Sequence, residues 1–124
     1  MDMNLELVPV PVSDVDRAKA FYVEKVGFNL DHDVQPANGT RVVQLTPPGS
    51  ACSIVMGTGM PEISDMKPGS VKALHLVVAD IRKAREALIE RDVEVKEVED
   101  LGGILFAYFN DPDGNSWLLQ EIPG

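Results

Sequence analysis

The chain holds a single cysteine, Cys52, so no disulfide can close within it. Its opening residues Met1-Asp2-Met3-Asn4 lack the basic flank and apolar run of a secretory signal. These two absences point to a cytoplasmic protein. No apolar run approaches the roughly 18 residues of a membrane span, which excludes a membrane partner. Cationic side chains are scarce as well: 11 Lys and Arg stand against 20 Asp and Glu, a formal net charge of −9. A phosphate backbone is repelled by that balance, so nucleic acid is excluded as a partner. The acidic excess concentrates in residues 90–100, where Glu90, Asp92, Glu94, Glu97, Glu99 and Asp100 face only Arg91 and Lys96. Such a run reads as a solvated face. The remainder is ordinary: 44% hydrophobic and 25% charged residues over 124 positions describe one folded domain.

The chain repeats itself. Val12-Ser13-Asp14-Val15-Asp16-Arg17-Ala18-Lys19 falls on Val78-Ala79-Asp80-Ile81-Arg82-Lys83-Ala84-Arg85 at an offset of 66 residues. Each copy reads as an extended segment, an Asp able to cap a helix, and an amphipathic helix. The helices carry Val15, Ala18, Tyr22 and Val26 in one copy and Ile81, Ala84, Ala87 and Leu88 in the other. Three strands are expected after each. In the first half they are Phe28 to Asp33, Arg41 to Leu45 and Ala51 to Met56. In the second they are Val93 to Val98, Leu105 to Phe109 and Trp117 to Glu121, with turns at Pro36-Ala37-Asn38-Gly39, Pro47-Pro48-Gly49, Gly102-Gly103 and Asp111-Pro112-Asp113-Gly114-Asn115. One helix covers only one face of a sheet and the other face must meet something, so two such halves are expected to curve around a shared concave space. The fold class is therefore α+β, with two βαβββ modules at about residues 4–57 and 71–122, a linker at 58–70, and a single domain over 1–124.

Val12-Ser13-Asp14 followed by Ala20-Phe21-Tyr22 and Gly27-Phe28, together with Phe109-Asn110-Asp111-Pro112-Asp113-Gly114-Asn115, resembles the vicinal oxygen chelate superfamily of glyoxalase I, bleomycin-resistance proteins and extradiol dioxygenases. The resemblance implies a U-shaped mixed sheet with helices on its convex side and ligands in the concave cup. It also implies, in metal-dependent members, a cation ligand on the first and last strand of each module. Counting seven residues back from Asp14 and Asp80 reaches Leu7 and Ala73. Counting four past Gly49 and Gly114 reaches Ser53 and Leu118. None of the four is a His or Glu. A slip of two keeps the strand face and brings in His75 and Gln120. His75 and Glu121 are the weak metal candidates, Glu121 only through a bulge, and a catalytic cation normally takes two or three protein ligands. No cofactor is expected, with a divalent metal as the possible exception.

Asp31-His32-Asp33 looks like a ligand cluster, but strand alternation sends neighbours to opposite faces, so it reads as an exposed polar strand end. Asp111 to Asn115 has its glycine fourth, where a calcium loop needs it sixth, and reads as a hairpin turn. Cys52, without a nearby imidazole, reads as a small buried apolar residue. Counting by strand face, the ligand-binding residues are Leu7, Pro9, Ser53, Val55, His75, Val77, Tyr108, Leu118 and Gln120. Leu5 and Ala73 share their face, and Phe106 and Phe109 lie on the neighbouring strand. The face is mainly apolar, as suits a hydrophobic or aromatic small molecule held by one or two hydrogen bonds. The resemblance implies a binding protein with a degenerate metal site, working as a homodimer. The alternatives are a metal-dependent lyase, isomerase or dioxygenase, and a dimeric interaction module without a ligand.

Overall fold

Asp14 and Asp80 start the two helices, as the repeat predicts. Each sits in extended backbone and accepts a hydrogen bond from an otherwise unpaired first-turn amide, Arg17 N at 3.0 Å and Lys83 N at 3.1 Å. The computed structural model describes residues 1–123. Module one contains β1 (Leu7–Pro9), α1 (Val15–Ala20) running into a π-helical turn (Phe21–Val26), β2 (Asn29–Ala37), β3 (Thr40–Thr46) and β4 (Ser53–Thr58). Module two contains β5 (Leu74–Val77), α2 (Ile81–Glu90), β6 (Glu99–Leu101), β7 (Ile104–Asn110) and β8 (Ser116–Glu121). The architecture is α+β, with two four-stranded mixed sheets ordered β1-β4-β3-β2 and β5-β8-β7-β6. In each sheet the first strand lies parallel to the last and the other pairs are antiparallel. No helix among the described residues is long and apolar enough to cross a membrane.

Several elements differ from expectation, for identifiable reasons. The first helix widens after Ala20 and ends at Gly27, whose φ of 90° lets its amide and that of Phe28 both reach the Tyr22 carbonyl at 2.9 and 2.8 Å. Strand β2 extends to Ala37 despite Pro36, because it is an edge strand and the pairing skips from Val34 to Ala37. The expected strand at Val93 to Val98 is reduced to one bridge between Val95 and Phe109, and regular pairing begins only at Glu99. Val93 and Val95 are buried in the core, while the Arg85 guanidinium takes the carbonyls of Val95 and Lys96 at 3.2 and 2.9 Å.

One core serves both modules. The helix-facing sides of the two sheets, carrying Val43, Leu45, Ile54 and Met56 in one and Ala107, Phe109, Trp117 and Leu119 in the other, belong to a single apolar cluster. At its centre Tyr22 of module one is fully buried, stacked on Phe28 at 5.4 Å and edge-on to Trp117 of module two at 5.7 Å. Its hydroxyl accepts a bond from Trp117 Nε1 at 2.9 Å and donates to Asp111 Oδ2 at 2.7 Å. Burial first, and then the Asp111 carboxylate, push the Tyr22 phenol well above its ordinary range, so it stays a donor. Asp111 also accepts from the backbone amides of Asp113 and Asn115 and from Asn115 Nδ2, which in turn donates to Pro11 O at 2.8 Å. The Asp111–Asn115 turn is therefore the hairpin expected and, beyond that, the clasp between modules. The linker runs against the same turn: Gly69 donates to Pro11 O, and a side chain there would meet Asp113 O at 2.2 Å.

A second polar cluster ties α1 to its own sheet. Asp33 accepts from Arg41 Nε at 3.0 Å and Nη2 at 2.9 Å and from Lys19 Nζ at 2.7 Å, and Arg41 also pairs with Asp16. Asp33 is thus no part of an exposed strand end. The hydrogen bonds from Arg41 and then Lys19 hold its carboxyl well below the usual carboxylate range.

Two outcomes follow. Tyr22→Phe strips Trp117 Nε1 of its acceptor and Asp111 of a donor in a buried site, which should cost about 1–3 kcal/mol. The urea midpoint, read from the fluorescence of the single tryptophan, should fall accordingly, whereas a loss below about 0.5 kcal/mol would remove the clasp its importance. Because the folded Asp33 carboxyl is depressed, its contribution is full above the unfolded value near about pH 4 and drains away as pH falls below it. Asp33→Asn should therefore be less stable than the parent at neutral pH, with the two urea midpoints converging toward about pH 2.

Candidate functional site

The faces of the sheets turned away from the shared core carry the residues expected in the cup. In module one Leu7 pairs with Ser53 and Pro9 with Val55 across β1 and β4, so all four point to the same side, while Ile54, paired with Val8, points into the core. In module two His75 pairs with Leu118 and Val77 with Gln120, and Phe106 and Tyr108 on β7 face the same way. Phe109 does not: it lies in the core, stacked on Trp117 at 6.3 Å. Leu5 precedes β1 and is 71% exposed. Leu118 is 2% exposed, but Val77 is 66% exposed and Tyr108 36%, so the face of module two lies open.

The register relocates one position. Counting places Ala73 at the first-strand site of module two, but Ala73 precedes β5, and His75 takes the place opposite Leu118 that Leu7 holds opposite Ser53. The connection from strand to cap is two residues shorter in module two, and the repeat offset of 66 taken from the helices does not carry back to the strand. Ala73 has φ 61°, a left-handed conformation that costs a non-glycine residue of order 1 kcal/mol or more. Its amide is held by Ser116 Oγ at 2.7 Å, and its carbonyl lies 2.7 Å from His75 Nδ1. A carbonyl only accepts, so the neutral imidazole carries its proton on Nδ1. Nε2 is left as an acceptor on an exposed face, with the Phe106 ring edge-on at 6.1 Å.

A polar shelf on module one was missed by counting. Register slips between Leu30 and His32 on β2, and the extra residue, Asp31, reaches the face shared by Gln44, Thr46 and Ser53. Strict alternation denies Asp31 and His32 a common face, and the bulge overrides it. Asp31 Oδ2 accepts from Thr46 Oγ1 and from Gln44 Nε2. Thr46 Oγ1 lies 2.6 Å from Ser53 Oγ, and Gln44 Nε2 reaches Ser53 Oγ at 3.5 Å. The signal available in the sequence was the run Thr40–Thr46, whose even members share the face of Val55.

Among the described residues no three His, Cys, Asp or Glu side chains converge. Glu121, a weak candidate, faces the helix side, where its Oε1 accepts from Ile81 N at 2.8 Å and completes the start of α2. Cys52 is half-buried. Ser53 and His75 share the wall of a hollow of about 110 Å³, too small for a drug-sized ligand. A larger hollow of about 490 Å³ opens at the outer rim beside Tyr108, between Lys25, Lys96, Asp92 and Glu94.

Known proteins are similar to this chain. An antibiotic binding protein from Streptomyces sp. CB03234, TnmS3, has 37% sequence identity, with 98% of each chain covered and a TM-score of 0.86. A glyoxalase/bleomycin resistance protein from the same organism has 40% identity over 94% of this chain and 98% of its own, with a TM-score of 0.79. YwkD of Bacillus subtilis (strain 168), a protein of uncharacterized role, is 28% identical over 115 residues, 89% of this chain and 90% of its own. Residues 5–119 match the family model, and the chain belongs to the Glyoxalase/Bleomycin resistance protein/Dioxygenase superfamily.

Proposed function

We propose that the protein binds a hydrophobic or aromatic small molecule, without a catalytic metal, in a cup completed by a second copy of the chain. The observation that carries this reading is His75. Its Nδ1 proton is committed to Ala73 O, so Nε2 offers one hydrogen-bond acceptor on a face it shares with Phe106, Tyr108, Val77, Leu118 and Gln120. An aromatic molecule with one hydroxyl fits that chemistry: its ring covers the apolar and aromatic side chains and its O–H donates to Nε2. Leu7, Pro9, Ser53 and Val55 supply a second such face.

The second copy enters because these faces point away from the common core and module two's is open, with Val77 largely exposed. Strands β1 and β5 are both edges of their sheets and remain free to approach a partner. Joining module one of one copy to module two of another covers both faces and encloses a ligand between them. TnmS3, similar over 98% of the chain, is an antibiotic binding protein, which supports sequestration as the role. A lyase, isomerase or dioxygenase using a metal would need further ligands around His75, and the neighbouring positions Leu7, Ser53, Leu118 and Gln120 are not His or Glu.

Light scattering after size exclusion should report twice the 13.5 kDa chain mass. 2-Naphthol, a planar ring with one donor, should raise the melting temperature by binding the folded state, and His75→Ala should weaken it about tenfold, the effect of one lost hydrogen bond. A monomer, or no stabilisation by any of a panel of aromatic compounds, would overturn the reading. So would stoichiometric Zn, Ni, Mn or Fe in protein purified without chelator and lost in His75→Ala.

A further inference from the structure

The shelf on module one has a direction. A carboxylate only accepts, so Thr46 spends its one proton on Asp31 Oδ2, and the contact between Thr46 and Ser53 must then run from the Ser53 hydroxyl to Thr46. Gln44 Nε2 donates to Ser53 Oγ and to Asp31 Oδ2. Three side chains from β3 and β4 therefore orient their donors along one chain that ends on a single carboxylate oxygen. Among the described residues every bond Asp31 receives goes to Oδ2. Oδ1 receives none, and no Lys or Arg lies within ion-pair distance of it. The contrast with Asp33, two residues along the same strand, is informative: Asp33 faces the helix side and has both oxygens taken by Arg41 and Lys19. A bulge whose extra residue is a carboxylate, oriented by neutral donors and left with one free acceptor on the ligand-facing side, is an arrangement for receiving a donor from outside.

From this juxtaposition we infer that Asp31, positioned by Thr46, Gln44 and Ser53, is a specificity-determining residue of the cup and selects aromatic ligands that carry a second hydrogen-bond donor, a hydroxyl or an ammonium, on the end away from His75. The inference rests on the reading of both faces as one cup. It divides two polar contacts between the modules: Nε2 of His75 receives one donor and Oδ1 of Asp31 the other. Ligands with an anionic group at the Asp31 end are rejected by the unpaired charge.

Three naphthalene probes test it by calorimetry on the full chain: naphthalene-2,6-diol, 6-(aminomethyl)-2-naphthol and 6-methoxy-2-naphthol, which share the first hydroxyl and differ at the second position. The parent should bind the first two about tenfold more tightly than the methoxy probe, the magnitude of one hydrogen bond to a charged acceptor. That preference should vanish in Asp31→Ala. Asp31 is exposed, so the variant should keep the parent's melting temperature. Asp31→Asn separates the two sources of the donor: a loss confined to the ammonium probe assigns charge pairing, and a loss for both assigns the bond to the carboxylate. Equal affinity for all three probes in the parent, or a preference that survives in Asp31→Ala, overturns the inference while leaving the cup intact. Failure of all three, the methoxy probe included, overturns the cup and the inference with it.

Discussion

The buried hydroxyl of Tyr22, accepting from Trp117 and donating to Asp111, is the contact through which the two halves of this molecule become one. An ionisable group in so dry a place costs several kcal/mol unless its bonds are complete. Here they are: the Asp111 oxygens accept from Tyr22, Asn115 and two backbone amides, and no buried side-chain polar atom among the described residues lacks a partner. The same residues carry the aromatic packing of the core, so polar satisfaction and apolar burial are coupled at one point. Loosening either exposes the other.

That coupling decides which way the sheets face. With Tyr22, Phe28, Trp117 and Phe109 drawn into one cluster, the helix-side faces of both sheets turn inward and the opposite faces turn outward. The outward faces pay in exposed apolar surface, most plainly at Val77, and natural proteins rarely leave such surface without a use. The core and the open faces thus lie on opposite sides of the same strands. Residues alternate along β8 between Trp117 and Leu119 for the core and Leu118 and Gln120 for the open side.

Much of this was legible. The repeat located the start of both helices to the residue, through Asp14 and Asp80, because capping is a local contest between a carboxylate and nearby amides. Alternation sorted Leu7, Pro9, Ser53, Val55, His75, Val77, Leu118 and Gln120 onto one side, since a strand's period of two is also local. The failures occurred where local rules meet partners distant in sequence. Val93 to Val98 has the pattern of a strand, but Arg85 takes its carbonyls. Asp31 reads by alternation as part of an exposed strand end, and its meeting with Gln44 and Thr46 depends on a bulge that strand period does not reveal.

What the amino-acid order determined by itself is the twofold βαβββ plan, the helix starts, the turn at Asp111 to Asn115, and which side of each strand is apolar. All of these are short-range consequences of side-chain size, charge and backbone preference. Only the tertiary structure decided that His75 and not Ala73 is the counterpart of Leu7, because the length of a connection is absorbed by strand pairing. Only it decided that Asp31 reaches the face of Gln44, Thr46 and Ser53, because a bulge arises from the mismatch of two strands and is encoded in neither alone. And only it joined Tyr22 to Asp111, 89 residues apart, since the loss of chain entropy on closing so long a loop is recovered only when the whole core forms around the bond.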